Sequence, residues 1–390
     1  AQLQPGELLT VPPLLFLGAA QHFHSLFERK NCSVMNNYAL EGFLGEGAYG
    51  IVLKAVSKRT HELVAIKKFK DKDTDNPMIK KVIVRELRAL RTLKHPHIVQ
   101  LKEAFRQSER LFLVFEFCEQ SLLDLQTKSP GGRLALPAIR GLGREVLQAL
   151  EFMHMHGLLH RDVKPENILV TRQGHAKLCD FGFARTAKAG EELTDYVATR
   201  WYRSPELLLT PVYTAAVDLW AVGCVLGEAV SGQPLFPGEN LLDQLHCIHA
   251  ALGAFPRALT AAVEARGRPE GVDLAPLERQ PGDFNPRYLR DAYLPHCQCA
   301  KLVDLIERLL ALDPRQRLTA RQALEHPFFA EEQRDVQRSA RVEKENFAPS
   351  SAQPQMTRKA FLPHIKVPLP TRKPLNATLV SKAKIAAKKF

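Results

Sequence analysis

Three groups of residues in this chain have the types and spacing to act on phosphate. The first is Gly45-Glu46-Gly47-Ala48-Tyr49-Gly50, followed at once by Ile51-Val52. Glycines leave room for backbone amides to approach an anion. The pattern alone is weak, because more than one kind of nucleotide site carries it. The residues after it decide the reading. Ile51-Val52-Leu53-Lys54-Ala55-Val56 is strand-like, whereas a dinucleotide turn opens a helix. The loop therefore reads as a hairpin lid with amides available to phosphate. The second group is Lys67, which lies fifteen residues past Val52 in Val64-Ala65-Ile66-Lys67. An ammonium inside a strand is costly unless its charge is used, while Lys68 alternates to the other face and reads as solvated. The third group is His160-Arg161-Asp162-Val163-Lys164-Pro165-Glu166-Asn167, with Asp180-Phe181-Gly182 beginning thirteen residues after Asn167. Asp162 suits a proton acceptor for a hydroxyl. Lys164 suits charge neutralisation, and the oxygens of Asn167 and Asp180 suit a hard divalent cation.

These residues need elements to hold them. Residues 38–117 read mainly as strands: the two flanking the glycine loop, Leu63 to Phe69, Val99 to Phe105 and Leu111 to Phe117. One helix, Met78 to Leu93, interrupts them and carries Glu86. From Ala138 helical periodicity dominates, with examples at Leu142 to His156, Val217 to Val230, Leu241 to Leu252 and Cys299 to Leu310. The class is α+β, with a small five-stranded lobe over residues 35–118 and a mainly helical lobe over 119–329. Residues 1–34 read as a leader outside the fold, the alternative being that Met35 is the natural start. Leu8 to Ala20 contains Pro12 and Pro13 and is too short to span a bilayer. Residues 330–390 read as a disordered basic tail; residues 331–390 hold +8 of the net charge of +12. Such a tail can hold nucleic acid, an anionic membrane or an acidic partner, but a solvated tail is the better reading. The seven scattered cysteines are no disulfide framework and suit a reducing compartment.

In this order and spacing the motifs resemble the eukaryotic protein kinases over residues 38–329. The resemblance implies a two-lobed protein kinase fold that binds ATP and Mg2+ and phosphorylates protein substrates. Lys67 would contact the α- and β-phosphates and pair with Glu86. Asp162 would take the substrate hydroxyl's proton, Lys164 would neutralise the transferred phosphoryl group, and Asn167 and Asp180 would hold Mg2+. Leu44, Gly45, Glu46, Gly47, Ala48, Tyr49 and Gly50 would cover the nucleotide. Its adenine would meet the hinge Phe115-Glu116-Phe117-Cys118, with Phe115 as gatekeeper, and would lie between Leu44, Val52 and Ala65 above and Leu169 below. The resemblance also implies a Glu206–Arg317 pair and an Asp218 that braces the catalytic loop.

Ala198-Thr199-Arg200-Trp201-Tyr202-Arg203-Ser204-Pro205-Glu206 and Asp218-Leu219-Trp220 are similar to the CMGC branch. Within it, Val64 to Lys70, Cys179 to Arg185 and Thr194 to Trp201 resemble the cyclin-dependent-kinase-like serine/threonine kinases. The helix reads Lys80-Lys81-Val82-Ile83-Val84-Arg85-Glu86 and lacks the string that cyclins grip, so a cyclin partner is not implied. Thr194 and Tyr196 form a T-x-Y that resembles a dual phosphorylation site, phosphorylated by the kinase itself or by an upstream enzyme. Phospho-Thr194 would gather Arg85, Arg161 and Arg185, and phospho-Tyr196 would meet Arg200 and Arg203. Tyr49 is a further candidate phosphosite. Two alternatives remain: a mitogen-activated-type kinase driven by an upstream dual-specificity kinase, and a pseudokinase scaffold. A monomer in the cytoplasm or nucleus is expected, with the cilium or flagellum a further location by family resemblance.

Overall fold

The structure is a computed structural model. It describes residues 37–47, 50–69, 86–87, 89–107, 110–186, 199–210, 213–265, 267, 269, 271–282 and 284–330. Their contacts form two units, one from 37–69 and 101–117 and the other from 86–100 and 118–330.

The first unit is a sheet of β1 (Tyr38–Gly47), β2 (Gly50–Ser57), β3 (Leu63–Phe69), β4 (Leu101–Gln107) and β5 (Arg110–Glu116). The strands run β1-β2-β3-β5-β4, each antiparallel to its neighbours. Alternating β-branched and aromatic residues give the sheet one apolar face. Its core is Ala55, Val64, Ile66, Phe105, Phe112 and Val114. Register places Val52 opposite Lys67 and Ala65 opposite Phe115. Gly50 is opposite Phe69, where an added Cβ would lie 2.2 Å from the Lys68 carbonyl oxygen. The last glycine of the loop thus serves the close approach of β2 to β3.

Strand β4 begins at Leu101, two residues later than the sequence suggests. Val99 N instead donates to Leu178 O at 2.9 Å, and Ile98 forms a parallel bridge to Leu178. The second unit has claimed those two residues. Of the expected helix ending at Leu93, residues 86, 87 and 89–92 are described and helical.

The second unit is mainly helical. It contains α1 (Leu122–Lys128), α2 (Leu136–Met155), α3 (Pro205–Leu209), α4 (Ala216–Ser231), α5 (Leu241–Leu252), α6 (Arg257–Glu264), α7 (Tyr288–Cys297), α8 (Ala300–Leu309) and α9 (Ala320–Leu324). Helix α2 starts six residues before the expected Leu142, because Pro137 suits a first turn where no amide is needed. Its buried residues Ile139, Leu142, Val146, Leu147, Leu150 and Met153 recur at helical spacing and form one stripe. Helix α4 is buried all round from Val217 to Val230, so it is the core of this unit rather than a surface helix. Two small sheets complete it: β6 (Gln120–Ser121) with β8 (Ile168–Val170) and β9 (Ala176–Leu178), and β7 (Leu158–Leu159) with β10 (Arg185–Thr186). Among the described residues, no helix is long and apolar enough to cross a membrane.

Candidate active site

The second unit holds the acidic site residues close together. The 160–167 loop leaves β7 and enters β8, and a buried carboxylate on α4 fixes its start. Asp218 Oδ2 accepts from His160 N at 2.9 Å, and Asp218 Oδ1 accepts from Arg161 N at 2.7 Å. His154 at the end of α2 bonds Asp218 Oδ2 at 2.8 Å. Burial opposes the Asp218 charge, but the bonds from His154 and the loop amide, with the nearby imidazoles, hold its carboxyl below the ordinary range. Arg161 occupies left-handed backbone at φ 67°, an unfavourable conformation for a residue with a Cβ. The Asp218 bond to its amide holds it there.

The loop then folds onto Asp162. Lys164 Nζ lies 2.8 Å from Asp162 Oδ2, and Asn167 Nδ2 donates to both Asp162 O and Asp162 Oδ2 at 2.8 Å. Burial works against the Lys164 ammonium, yet Asp162, Glu166 and Asp180 outweigh it and raise its pKa, so it stays charged. Because Nδ2 of Asn167 is spent on Asp162, its Oδ1 remains as an acceptor, a fit for a hard cation. Asp180 sits in left-handed backbone at φ 61°, with Oδ1 3.5 Å from Gly182 N. Cys179 N donates to Asn167 O at 2.9 Å, which ties the strand before Asp180 to the catalytic loop. His160 Nδ1 accepts from Asp162 N at 3.3 Å, so its other nitrogen donates to Cys179 O at 3.0 Å. Phe181 is fully buried, edge-on to the His160 ring at 5.2 Å.

Glu206 and Arg317 pair in the interior, with nitrogen–oxygen distances of 2.6 and 3.2 Å. Arg317 also bonds the carbonyls of Ala216 and Ala311 and stands over the Trp220 ring. Trp201 Nε1 donates to Gly238 O at 3.1 Å, anchoring the segment that carries Arg200 and Arg203.

In the first unit Lys67 lies on β3, its ammonium 5.4 Å from the Phe69 ring centre. Val52, Ala65, Phe115 and Glu116 are strand residues of the same sheet, and Phe117 follows β5 with Lys54 Nζ 5.4 Å from its ring. Leu44 is exposed on β1, and Gly45 and Glu46 continue that strand. In the second unit Glu86 is buried, Cys118 is half-buried and Leu169 lies on β8. Ala48, Tyr49, Arg85, Thr194 and Tyr196 lie outside the described residues, as do residues 1–34 and 331–390. For Arg185 only the backbone, paired with Leu159, is described.

Motif reading missed three residues. His154 was invisible because it reaches Asp218 from a different helix. Tyr202 donates to Glu228 Oε2 at 2.6 Å, a contact set by tertiary packing alone. Glu166 stands inside the motif, but its orphaned Oε2 is seen only in three dimensions: buried, and without a hydrogen-bond partner among the described residues. Burial pushes the Glu166 carboxyl above its ordinary range, against the pull of Lys164.

Comparison with known proteins agrees with this geometry. The family model described as protein kinase domain matches residues 38–329. Human cyclin-dependent kinase-like 5 is 45% identical over 299 residues, covering 76% of this chain and 30% of that protein. Human cyclin-dependent kinase-like 4 is 40% identical over 335 residues, covering 83% and 84%. Human cyclin-dependent kinase-like 2 is 42% identical over 306 residues, covering 76% and 58%. The chain thus spans less than a third of the length of cyclin-dependent kinase-like 5, but most of cyclin-dependent kinase-like 4. On the family match and these identities, the chain belongs to the protein kinase family, among its cyclin-dependent-kinase-like serine/threonine members.

Proposed function

We propose that this chain transfers the γ-phosphoryl group of Mg-ATP to serine or threonine hydroxyls of proteins, and that phosphorylation of Thr194 and Tyr196 activates it. The observation that carries the transfer reading is the Asp162 carboxylate gripped by Lys164 and Asn167 at 2.8 Å. Asp162 accepts the substrate hydroxyl's proton and aims its oxygen. Lys164, held charged by its acidic neighbours, meets the negative charge of the group in transit. Asn167 and Asp180 would hold Mg2+, which when bound would screen the charge of the phosphate oxygens. Lys67 is the group that would meet the phosphates of the nucleotide. Phosphate on Thr194 recruits Arg161, whose backbone belongs to the catalytic loop, so modification and catalysis share one residue.

The test is phosphotransfer by the full chain to a peptide library. Lys67→Met and Asp180→Asn should each reduce turnover by at least about a hundredfold, as removal of a charged group acting on the transition state does. Full turnover in either variant would sink the reading. A mitogen-activated-type kinase is the second reading, favoured by the T-x-Y spacing. It predicts no phosphate on Tyr196 when the chain is expressed alone, whereas self-phosphorylation there supports the first.

A further inference from the structure

Helix α1 buries two of its residues, Leu122 and Gln126, one turn apart on the same face. Neither is well seated. A cavity of about 20 Å3 borders Leu122 and is lined also by Leu134, Ile139, Leu142, Val222 and Leu226. That is room for about one water, but the walls are apolar, and Leu122 loses contacts on that side. Gln126 is 3% exposed, and neither its Oε1 nor its Nε2 has a hydrogen-bond partner among the described residues. An amide buried in this way opposes the packing of the helix.

The polar bonds of α1 do not compensate, because they stay local. Ser121 Oγ accepts from Asp124 N at 3.1 Å, and Asp124 Oδ2 accepts from Ser121 N at 3.1 Å. Thr127 Oγ1 donates to Leu123 O and Ser129 Oγ to Leu125 O, each at 2.8 Å. Lys128 Nζ donates to Gln120 Oε1 at 2.7 Å. Both ends, by contrast, are tied to the body. Ser121 pairs with Leu169 of β8. Past the helix, Gly131 and Gly132 take φ of 64° and 75°, and a Cβ on Gly132 would lie 2.9 Å from Gly232 O. Arg133 Nε then donates to Ser231 O at 3.2 Å, and Leu134 N to Ala229 O at 2.9 Å.

We propose that α1 is a strap: fixed at β6 and at residues 131–134, it leaves its seat between them as one unit, without global unfolding. It packs against Pro165–Asn167, and β6 pairs with the strand that carries Leu169. A lifted strap therefore uncovers the turn that holds Asn167. That coupling to the site rests on the phosphotransfer reading above; the lifting itself does not.

The experiment is native-state hydrogen exchange on the full chain, read at the amides of Gln126 to Ser129 against those of Ile139 to Leu150 in α2. Off its seat a seven-residue helix does not persist, so its amides exchange. Gln126→Met keeps the side-chain length and removes both polar atoms. It should slow exchange in α1 by about tenfold and leave α2 unchanged. Leu122→Ala enlarges the cavity and should speed exchange in α1 by about tenfold, again without α2. Exchange in α1 that tracks α2 in wild type and in both variants overturns the strap. So does a Gln126→Met that exchanges like wild type, since the amide then has its partners. Mg-ATP tests the coupling and should slow α1 beyond its effect on α2. A rise in melting temperature with Mg-ATP that leaves α1 exchange unchanged overturns the coupling alone. No rise at all overturns the phosphotransfer reading and the coupling with it, while the two variants still decide the strap.

Discussion

Asp218 shows how one side chain can govern a site it does not enter. Its two oxygens take the amides of His160 and Arg161, and His154 supports it from behind. A left-handed arginine costs roughly 1 kcal/mol or more, and persists only where its surroundings over-determine it. Asp218→Asn replaces one acceptor with a donor that faces an amide, so the loop should lose both a bond and its strained turn. Breaking a buried charged hydrogen bond of this kind costs about 3 kcal/mol. The expected outcome is a clear drop in melting temperature together with a loss of turnover. The acid limb gives an independent check. Because the folded-state pKa of Asp218 lies below its ordinary value of 3.8, its contribution is fully present above that value. It is lost as pH falls below 3.8 through the depressed folded value. Denaturant titrations of wild type from pH 6 to pH 2 should therefore show a steeper loss of stability below pH 4 than the same series on Asp218→Asn. Parallel curves would refute the role.

The pairing of Glu206 with Arg317 works between elements: it joins the start of α3 to the turn before α9, while the carbonyls of Ala216 and Ala311 draw α4 and the end of α8 to the same guanidinium. Both side chains are buried, so removing one strands the other's charge. Arg317→Met should destabilise the chain by roughly 3–5 kcal/mol, while Glu206→Leu combined with Arg317→Met should recover much of that loss. Chemical denaturation of both variants checks the sign of the coupling; equal losses in single and double variants would count against it. This pair was legible because each partner stands in a short pattern, Ser204-Pro205-Glu206 and Asp313-Pro314-Arg315-Gln316-Arg317. Strands β2, β3 and β5 were legible for a similar local reason, since apolar runs with β-branched residues are written into each of those segments. The start of β4 was not, because Ile98 and Val99 look as strand-like as Leu101 and only the rival pairing with Leu178 takes them out of the sheet. Helix α4 was legible as a helix, but its burial on every side was not evident from its pattern. His154 was hidden for the same reason as that pairing: it acts on Asp218, far along the chain, and sequence records no such distance.

At the scale of the whole molecule, binding free energy is added to folding free energy, and this offers a test of the proposed chemistry that needs no substrate. A ligand bound only by the native state stabilises it by about 2.7 kcal/mol at a hundred times its dissociation constant. For a domain of this size that corresponds to a rise of roughly 4–5 °C in melting temperature. Mg-ATP should produce such a shift in the full chain. ATP with a chelator should produce much less, because the triphosphate would then meet Asp180 and its acidic surroundings without an intervening cation. Asp180→Asn should bring the two conditions together, since the carboxylate that prefers the metal and repels bare phosphate is gone. Lys67→Met should weaken both shifts, because its ammonium acts on phosphate directly. The pattern separates an enzyme from a scaffold. A scaffold that retained nucleotide for its fold alone could show equal shifts with and without Mg2+ and no sensitivity to Asp180. The aspartate at the left-handed turn, beside a lysine held charged and an asparagine with its amide already spent, predicts the opposite order.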